Sequence, residues 1–379
     1  SEHALTIDGR TGSAGSTRDG LLSWSEDLGI PAFFRSAKQI EAGRLELDGI
    51  RILFMPQVTC LDESTVQALQ RWVEAGGTLV ADLQPGFRNG RGAPRTSAVA
   101  DALFGVTYQL TSKPADSAVT LAVDGKNLVL ERMLSDSSVQ PAGAVAQGKL
   151  ANGTPILFSR TVGKGRTLLL NFSLGKALTN NGEKPELRQF MRGLLDQAGV
   201  ADDLRVATGL RVNRFSCGAV QLLGCQSEGT GKNDLALTFP KRRWVYDVRA
   251  GKSLGEVDRV VPSEHGGRNN LFTVSDKPLA GFTATSAGKL AAGTLADVVL
   301  TATPKAGELV NRRLYRLALF RPDGQEDVAV RRFAWADEKP LHVSMPLAFN
   351  LVSGAYRLVA TDLLSGAQQT ISFTNEAKP

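Results

Sequence analysis

Histidine and cysteine are scarce in this chain, with three of each among 379 residues. The cysteines Cys60, Cys217 and Cys225 form no CxxC pair, and the histidines are far apart in sequence. Structural zinc sites need about four such ligands close together. The sequence therefore predicts no metal site.

Cys217 and Cys225 are the two cysteines that a predicted hairpin brings onto neighbouring strands. They could form a disulfide if the protein matures in an oxidising compartment. Two buried free thiols are the alternative, and the sequence alone leaves both open.

Long apolar runs are also lacking, which predicts no membrane span. No basic-then-apolar signal segment opens the chain, so localisation stays open between a bacterial-type cytoplasmic and an exported protein. Ser1 is not an initiator methionine, and we interpret the start as a cut or a processed terminus.

The net charge is +6 and the pI is about 9.3, a small basic excess with interspersed acidic residues. The densest basic stretches lie in strand-like segments and are typical of solvated sheet faces. No nucleic-acid motif accompanies them, so no nucleic-acid partner is predicted.

Residues 1–200 alternate between predicted helices and strands. The apolar run Gly49–Pro56 is typical of a parallel strand covered on both faces. Asp62 is positioned to cap the next helix, whose buried stripe is Val66, Leu69 and Val73. Thr78–Leu83 is then a second buried strand, and together these elements predict a βαβ unit.

Short strands predominate in the rest of the chain, first in an expected β insertion at about 106–170. A helix follows from Pro185 to Ala198, and from about residue 201 only strands and turns are predicted. The expected fold class is α/β plus all-β, in three domains at 1–200, 201–286 and 287–379.

A family resemblance rests on Ile52–Pro56, Leu61–Val66 and Val73–Ala81. These segments resemble the trimerisation domain of the family 42 β-galactosidases, a member of the class I glutamine-amidotransferase-like group. Trp24–Ile30 and Gly163–Arg166 also match, so the resemblance covers roughly residues 1–200. It implies a flavodoxin-like three-layer domain.

The two β domains carry resemblances of their own. Residues 244–255 look like a β domain that follows such modules in glycoside hydrolases. The segments Leu319–Gly324 and Gly354–Asp362 resemble an immunoglobulin-like (Ig-like) sandwich, which implies that fold for the last domain.

In domains of the resembled family, a strand precedes the region corresponding to Ser1, and this chain lacks it. The resemblance therefore implies that an interior strand of the sheet is missing. Either another segment supplies it, or the natural chain extends upstream, where the resembled enzymes carry a catalytic barrel.

The same resemblance places the amidotransferase nucleophile elbow near Asp82–Gly86, which contains no cysteine or serine. The region 170–185 contains no histidine, so the triad is absent. No eightfold barrel pattern presents the carboxylate pair of a glycosidase. No catalytic residue is predicted.

Asp82, Gln84, Phe87, Arg88 and Trp244 are the candidates for contact with a ligand or partner. Asp82 ends a buried strand at the edge where α/β folds bind ligands. Turn stabilisation is its alternative role, and pairing with Arg88 is a further option. A solvated surface loop and core packing are the alternatives for the loop residues and for Trp244.

Two glycine-rich stretches were tested for nucleotide binding. Gly86–Gly92 is not followed by a Walker Lys-Ser/Thr, and Gly12–Gly20 lacks the GxGxxG fingerprint. No cofactor is therefore predicted.

Three functions remain open. The first is a non-catalytic accessory and assembly region of a larger glycoside hydrolase, partnered by its own copies or by an upstream catalytic domain. The second is a carbohydrate- or small-ligand-binding module, with Trp244, Tyr246, Trp335 and Tyr356 as stacking candidates. The third is a free-standing hydrolase with an unrecognised site.

Overall fold

The computed structural model describes residues 13–182, 184–200, 203–227, 235–262, 269–288, 290–337 and 339–376. The chain forms two compact units. Unit 1 comprises Ser1–Ser25 and Ala32–Asp202, and unit 2 comprises Glu26–Pro31 and Asp203–Pro379. The further boundary at 286–287 stays a prediction.

The first 200 residues contain both helices and strands. The helices are α1 (Ser13–Asp27), α2 (Ala37–Glu41), α3 (Arg44–Leu47), α4 (Glu63–Glu74), α5 (Asp101–Phe104), α6 (Leu174–Asn181) and α7 (Pro185–Gln197). The strands are β1 (Ile52–Met55), β2 (Thr78–Asp82), β3 (Val106–Thr107), β4 (Ala115–Val123), β5 (Lys126–Ser135), β6 (Gln140–Pro141), β7 (Val145–Lys149), β8 (Pro155–Val162) and β9 (Gly165–Leu170).

The main sheet of unit 1 has the order β1-β2-β9-β8-β7. Its first three strands are parallel, and β8 and β7 continue it in antiparallel fashion. Strands β8 and β9 lie in the stretch expected as an insertion, so the end of that stretch belongs to the main sheet. Two small sheets, β3-β6 and β4-β5, complete the unit.

Helix α4 packs on this sheet through the predicted stripe, and Val66, Leu69 and Val73 are buried in the core. Trp72 extends the stripe and donates from Nε1 to the Ile50 carbonyl oxygen at 3.2 Å. Its ring also fills the space next to Gly77, where any Cβ would overlap it. The βαβ unit is therefore confirmed, with β1 and β2 parallel and in direct register.

The capping role expected for Asp62 takes a different form. Asp62 occupies the N-cap position of α4, but its side chain makes no cap hydrogen bond to the helix. Its Oδ1 instead accepts from Gly90 N at 2.9 Å. The carboxylate therefore fastens the loop after β2 to the start of α4.

The expected missing interior strand does not fall between β1 and β2, because Ile52 pairs with Thr78 and Met55 with Ala81. Within the described residues, β1 has no neighbour on its other side. Residues 30–36, which run before α2, form no strand. The outer edge of β1 is thus unpaired in the part of the chain that the structure describes.

Unit 2 is built from strands, and no α-helix occurs in its described residues after 203. Its strands are β10 (Arg205–Val206), β11 (Leu210–Cys217), β12 (Val220–Ser227), β13 (Leu237–Asp247), β14 (Lys252–Val260), β15 (Asn269–Ser275), β16 (Gly281–Ser286), β17 (Leu295–Thr303), β18 (Arg313–Phe320), β19 (Glu326–Ala336), β20 (Leu341–Pro346), β21 (Gly354–Asp362) and β22 (Gln368–Asn375). They form one six-stranded sheet of β10 to β15, a three-stranded sheet β16-β17-β20 and a four-stranded sheet β19-β18-β21-β22. The flavodoxin-like and Ig-like assignments stay predictions.

The expected hairpin of β11 and β12 forms, but it does not bring its cysteines together. Cys217 pairs with Val220, and Cys225 pairs with Val212. At about 3.3 Å per residue, the five residues from Val220 to Cys225 separate the thiols by roughly 16 Å, beyond disulfide reach. Of the two alternatives, the disulfide is excluded by this geometry, and all three cysteines are free, with Cys225 buried and Cys217 half-buried.

A buried ion pair holds the first strand of the four-stranded sheet to its neighbours. Arg313 Nη1 donates to Asp362 Oδ2 at 2.9 Å, and both side chains are almost fully buried. Arg313 Nη2 donates to the Ala280 carbonyl oxygen, while Asp362 also accepts from Leu364 N and Ser365 Oγ. All charge-bearing atoms of the carboxylate are therefore partnered.

Two turns of unit 2 also meet at glycines. Gly251, between β13 and β14, and Gly366, between β21 and β22, both have left-handed backbone conformations. A Cβ on Gly366 would overlap the backbone of Gly251. The two turns are thus in direct backbone contact.

Within the described residues, none of the helices combines the length and the apolar character that a bilayer span requires.

We predict that Asp362→Ala lowers the free energy of unfolding by about 3–5 kcal/mol, because it leaves the Arg313 guanidinium buried without its counter-ion. Urea denaturation followed by circular dichroism measures this change. The matched control is Asp337→Ala, which removes the exposed partner of Arg312 and should change stability by less than about 0.5 kcal/mol. Equal effects of the two substitutions would contradict the role assigned to the buried pair.

Candidate functional site

The carboxyl ends of the three parallel strands of unit 1 meet at one edge, where the sequence places most of its candidate residues. Gln57 follows β1, Asp82 ends β2, and Ser173 and Leu174 follow β9. Ligands of open α/β sheets bind at this edge. The geometry there decides between ligand contact and structural support.

Asp82 is fully buried and accepts two backbone N–H groups, that of Gln57 on Oδ1 and that of Leu174 on Oδ2 at 2.7 Å. Leu174 is the first residue of α6, so the carboxylate also stabilises the start of that helix. Burial raises the pKa of Asp82 to about 7, and the two N–H donors oppose this shift. The suggested pairing with Arg88 does not account for the position of Asp82, since no arginine is among the groups that shift its pKa.

Gln84 and Asp136 form the second part of the site. Gln84 Nε2 donates to Asp136 Oδ2 at 2.6 Å and to the Ser112 carbonyl oxygen. Asp136 Oδ1 accepts from Ser112 Oγ and from both N and Oγ of Ser138. Both side chains are buried, so Gln84 binds the neighbouring loops.

Asn171 and Ser173, just after β9, complete this network. Asn171 accepts from Asp136 N at 2.9 Å and donates to Asp136 O and Pro155 O. Gln57 Nε2 donates to Ser173 Oγ at 2.9 Å. Side-chain hydrogen bonds therefore link all the loops that leave this edge of the sheet.

Phe87 and Arg88 lie in an ordered loop, contrary to the surface loop that the glycine-rich sequence indicated. Phe87 is buried edge-on against Tyr108, with ring centroids 5.0 Å apart. Arg88 forms single bridges with Cys60 and Pro94 and donates from Nη1 to the Gly92 carbonyl oxygen. Asn89 closes the turn by accepting from the N–H groups of Arg91 and Ala93.

Tyr108, whose ring packs against Phe87, and Asp101 carry buried polar atoms. The Tyr108 hydroxyl and Asp101 Oδ1 are both shielded from solvent. Burial raises the pKa of Tyr108 and raises that of Asp101 to about 7. Such groups are kept neutral at moderately acidic pH by their surroundings.

The chemistry available at this edge is that of a structural network. The serines are engaged as donors or acceptors, and the described part of unit 1 contains no histidine to activate one of them. Among the described residues, no cluster of three or more His, Cys, Asp or Glu side chains is arranged to hold a metal ion. Asp82, Gln84 and Phe87 are buried supports, and partner contact stays a prediction for Arg88.

Trp244, the remaining candidate, lies in unit 2 on β13. It is half-buried and packs against a small apolar cluster that includes Val220, Tyr246, Leu279 and Leu364. The Tyr246 hydroxyl accepts from Leu279 N at 2.7 Å in the same cluster. Trp244 therefore contributes to packing within unit 2.

Comparison with known families gives a match to the same part of the chain that forms this network. Residues 37–201 match the family model of the beta-galactosidase trimerisation domain. No curated protein matches the chain significantly. The match supports the resemblance on which the expected accessory role rests, over the helices and strands from α2 to α7.

Solved structures share this fold at low sequence identity. The β-galactosidase from Bacillus circulans sp. alkalophilus is 14% identical with a TM-score of 0.52, over 69% of this chain and 37% of that chain. A catalytic mutant of Gan42B, a GH42 β-galactosidase from G. stearothermophilus, is 13% identical with a TM-score of 0.51, over 71% of this chain and 36% of that chain. This chain thus spans little more than a third of the enzymes that it resembles.

Asp136 and Asn171 hold the network together and are not among the residues predicted from the sequence. Both follow strands, in the polar segments Ser135–Ser138 and Asn171–Ser173. A polar cluster directly after an apolar strand was the available signal, but their pairing across 35 positions depends on the sheet order. Chain order alone does not show it.

We predict that Asp82 makes unit 1 less stable as pH rises from about 4 to 7. Its pKa is near 7 in the folded state and near 3.8 when exposed, so the folded state binds the extra proton throughout this window. The contribution of Asp82 to stability is therefore largest below about pH 4 and falls by an amount on the order of 4 kcal/mol by pH 7.

Urea denaturation at a series of pH values checks this, with Asp82→Asn compared to the unmodified chain. The stability difference between the two should change across this window and be constant above it. The control Asp116→Asn alters an exposed carboxylate and should leave the pH profile unchanged. A pH-independent difference for Asp82→Asn would refute the raised pKa.

Proposed function

We propose that this chain is the accessory and assembly region of a larger glycoside hydrolase of β-galactosidase type. The match of residues 37–201 to a trimerisation domain supports it. Unit 1 mediates contact between copies of the chain, and an upstream catalytic domain supplies the hydrolysis. A flavodoxin-like arrangement of unit 1 and an Ig-like end of unit 2 belong to the same proposal.

An apolar surface of unit 1 supports the assembly role. Phe33, Phe34 and Leu47 are 63%, 65% and 73% exposed. The ion pair of Arg35 with Asp48, at 2.7 Å, holds the segment of the two phenylalanines close to that of Leu47. Large apolar side chains clustered on a surface are typical of protein interfaces.

The position of this surface in the sequence adds to the case. It lies within the segment 30–48, immediately before β1, whose outer edge is open in the described structure. An open strand edge and exposed aromatic side chains are the two features by which sheets recruit partners. We assign the interface between copies to Phe33, Phe34 and Leu47.

Light scattering after size exclusion tests the proposal. The chain should elute at about three times its 40.4 kDa mass, and the double substitution Phe33→Glu with Phe34→Glu should produce monomers because it places charges in the interface. The control Phe349→Glu changes a phenylalanine of unit 2 that is even more exposed and should leave the mass unchanged. A monomer at high concentration would overturn the assembly role.

A second function, carbohydrate binding, is favoured by the surroundings of Trp335. This residue is 52% exposed on β19, and Phe333 on the same strand is also exposed. Arg312 lies over the indole, 5.1 Å from its centroid, beside a cavity of about 790 Å³. Aromatic faces with adjacent polar groups are the surfaces on which sugar rings stack.

Under this second proposal, Trp335→Ala should raise the Kd for a glycan that the unmodified chain binds by about tenfold or more, which corresponds to the loss of one good contact. A glycan array followed by calorimetry measures it. Val328→Ala, on the same strand and also exposed, is the matched control. Absence of any bound glycan, or equal affinity of Trp335→Ala, would rule out this site.

A further inference from the structure

A cavity of about 470 Å³ lies in unit 1 between the main sheet and helix α7. Its floor is formed by Ser159 on β8 with Arg166 and Leu168 on β9, and its roof by α7. The volume lies within the range of small-molecule sites. None of the residues discussed above for catalysis, assembly or sugar stacking lines it.

Arg166 is placed in this cavity by the strand periodicity. Side chains alternate along β9, so Arg166 and Leu168 project to one face while Thr167 and Leu169 project to the other. On the opposite face, Thr167 Oγ1 donates to the Leu103 carbonyl oxygen, and Leu169 packs in the hydrophobic core. A cationic residue therefore stands in a row that is otherwise apolar, facing α7.

The guanidinium of Arg166 is only partly satisfied. Its Nη1 donates to Gln197 Oε1, which fixes the orientation of the group. Its Nε and Nη2 are buried and have no hydrogen-bond partner. These two atoms form the side-on fork that binds both oxygens of a carboxylate. A buried donor without a partner is costly and uncommon in folded proteins.

No acidic side chain among the described residues neutralises the charge of Arg166. Asp124 is the one acidic residue among those lining the cavity, and its carboxylate accepts from Gln189 Nε2 at 2.5 Å. Burial lowers the pKa of Arg166, and no carboxylate opposes this effect. The fork is thus oriented, desolvated and without a counter-ion.

We propose that this cavity binds a small organic carboxylate, whose two oxygens pair with Nε and Nη2 of Arg166. The remaining walls define the body of the ligand. Leu121, Leu157, Leu168 and Leu194 contribute apolar surface, while Gln147 and Ser159 contribute single polar groups. The ligand is therefore a compact acid with an apolar or mixed body, and the site is independent of the proposed assembly role.

Gly193 supplies a way to close the cavity without touching Arg166. It lies within α7 and lines the cavity, and a Cβ built on it meets no atom within 4 Å. Gly193→Leu should therefore place its side chain in the space of the ligand. Gly193→Ala should leave that space largely open and raise the melting temperature, because alanine favours the helix.

Calorimetry on the full chain tests the proposal with benzoate and galacturonate as probes, and with benzamide, galactose and inorganic phosphate as comparisons. At least one carboxylate should bind with a Kd of about 1 mM or lower. Its neutral counterpart should bind at least about tenfold more weakly, because it lacks the anionic pair of oxygens. Phosphate should also bind at least about tenfold more weakly, because the largely apolar walls do not offset the cost of removing its higher charge from water. Phosphate binding as tight as that of the carboxylates would overturn the assignment.

Arg166→Met and Gly193→Leu should each weaken carboxylate binding by about tenfold or more. Gly193→Ala and Arg71→Met, which removes an exposed arginine of α4, should bind as the unmodified chain does. Without ligand, Arg166→Met should melt no lower than the unmodified chain, because it removes two unsatisfied donors. A lower melting temperature of Arg166→Met without ligand, together with unchanged carboxylate affinity in Gly193→Leu, would show that Arg166 is structural and would sink the proposal.

Discussion

The buried carboxylate of Asp82 is the constraint on which unit 1 depends. It lies at the end of the central parallel strand and accepts N–H groups from the segments that follow the two neighbouring strands, at Gln57 and Leu174. One side chain thus ties together the carboxyl ends of β1, β2 and β9. In an enzyme of this topology the same edge is kept open for substrate, whereas here it is closed by its own hydrogen bonds.

The surfaces proposed above for recognition lie away from that edge. The exposed phenylalanines before β1 are free for protein contact, and the cavity under α7 lies on the face of the sheet rather than at its end. In unit 2 the corresponding positions are the aromatic residues of β19. Under these proposals, a fold associated with ligand binding acts as a scaffold and keeps its small sites away from the usual edge.

The sequence predicted the elements whose signals are local. The βαβ unit from Ile52 to Asp82, the stripe of α4 and the hairpin of β11 and β12 follow from periodicity and turn residues. Contacts between segments that are far apart in the sequence were harder to predict. The register that separates Cys217 from Cys225, the pairing of Asp136 with Asn171 and the use of Asp62 by Gly90 all depend on packing between distant segments. The position of Arg166 in the cavity beside α7 likewise depends on the pairing of β8 with β9.

The glycine contact between the turns at Gly251 and Gly366 has a consequence for how unit 2 can diverge. Because both backbones touch, the spacing of these turns is set by main-chain atoms alone, whatever side chains surround them. Position 366 is closed to every residue with a Cβ, by its left-handed conformation and by collision with its neighbour. At position 251, a side chain would meet no collision, and only the left-handed backbone conformation disfavours residues other than glycine. As the sequence diverges, substitution of Gly366 would therefore disturb the contact more than substitution of Gly251. The glycine at position 366 keeps the spacing of the two turns.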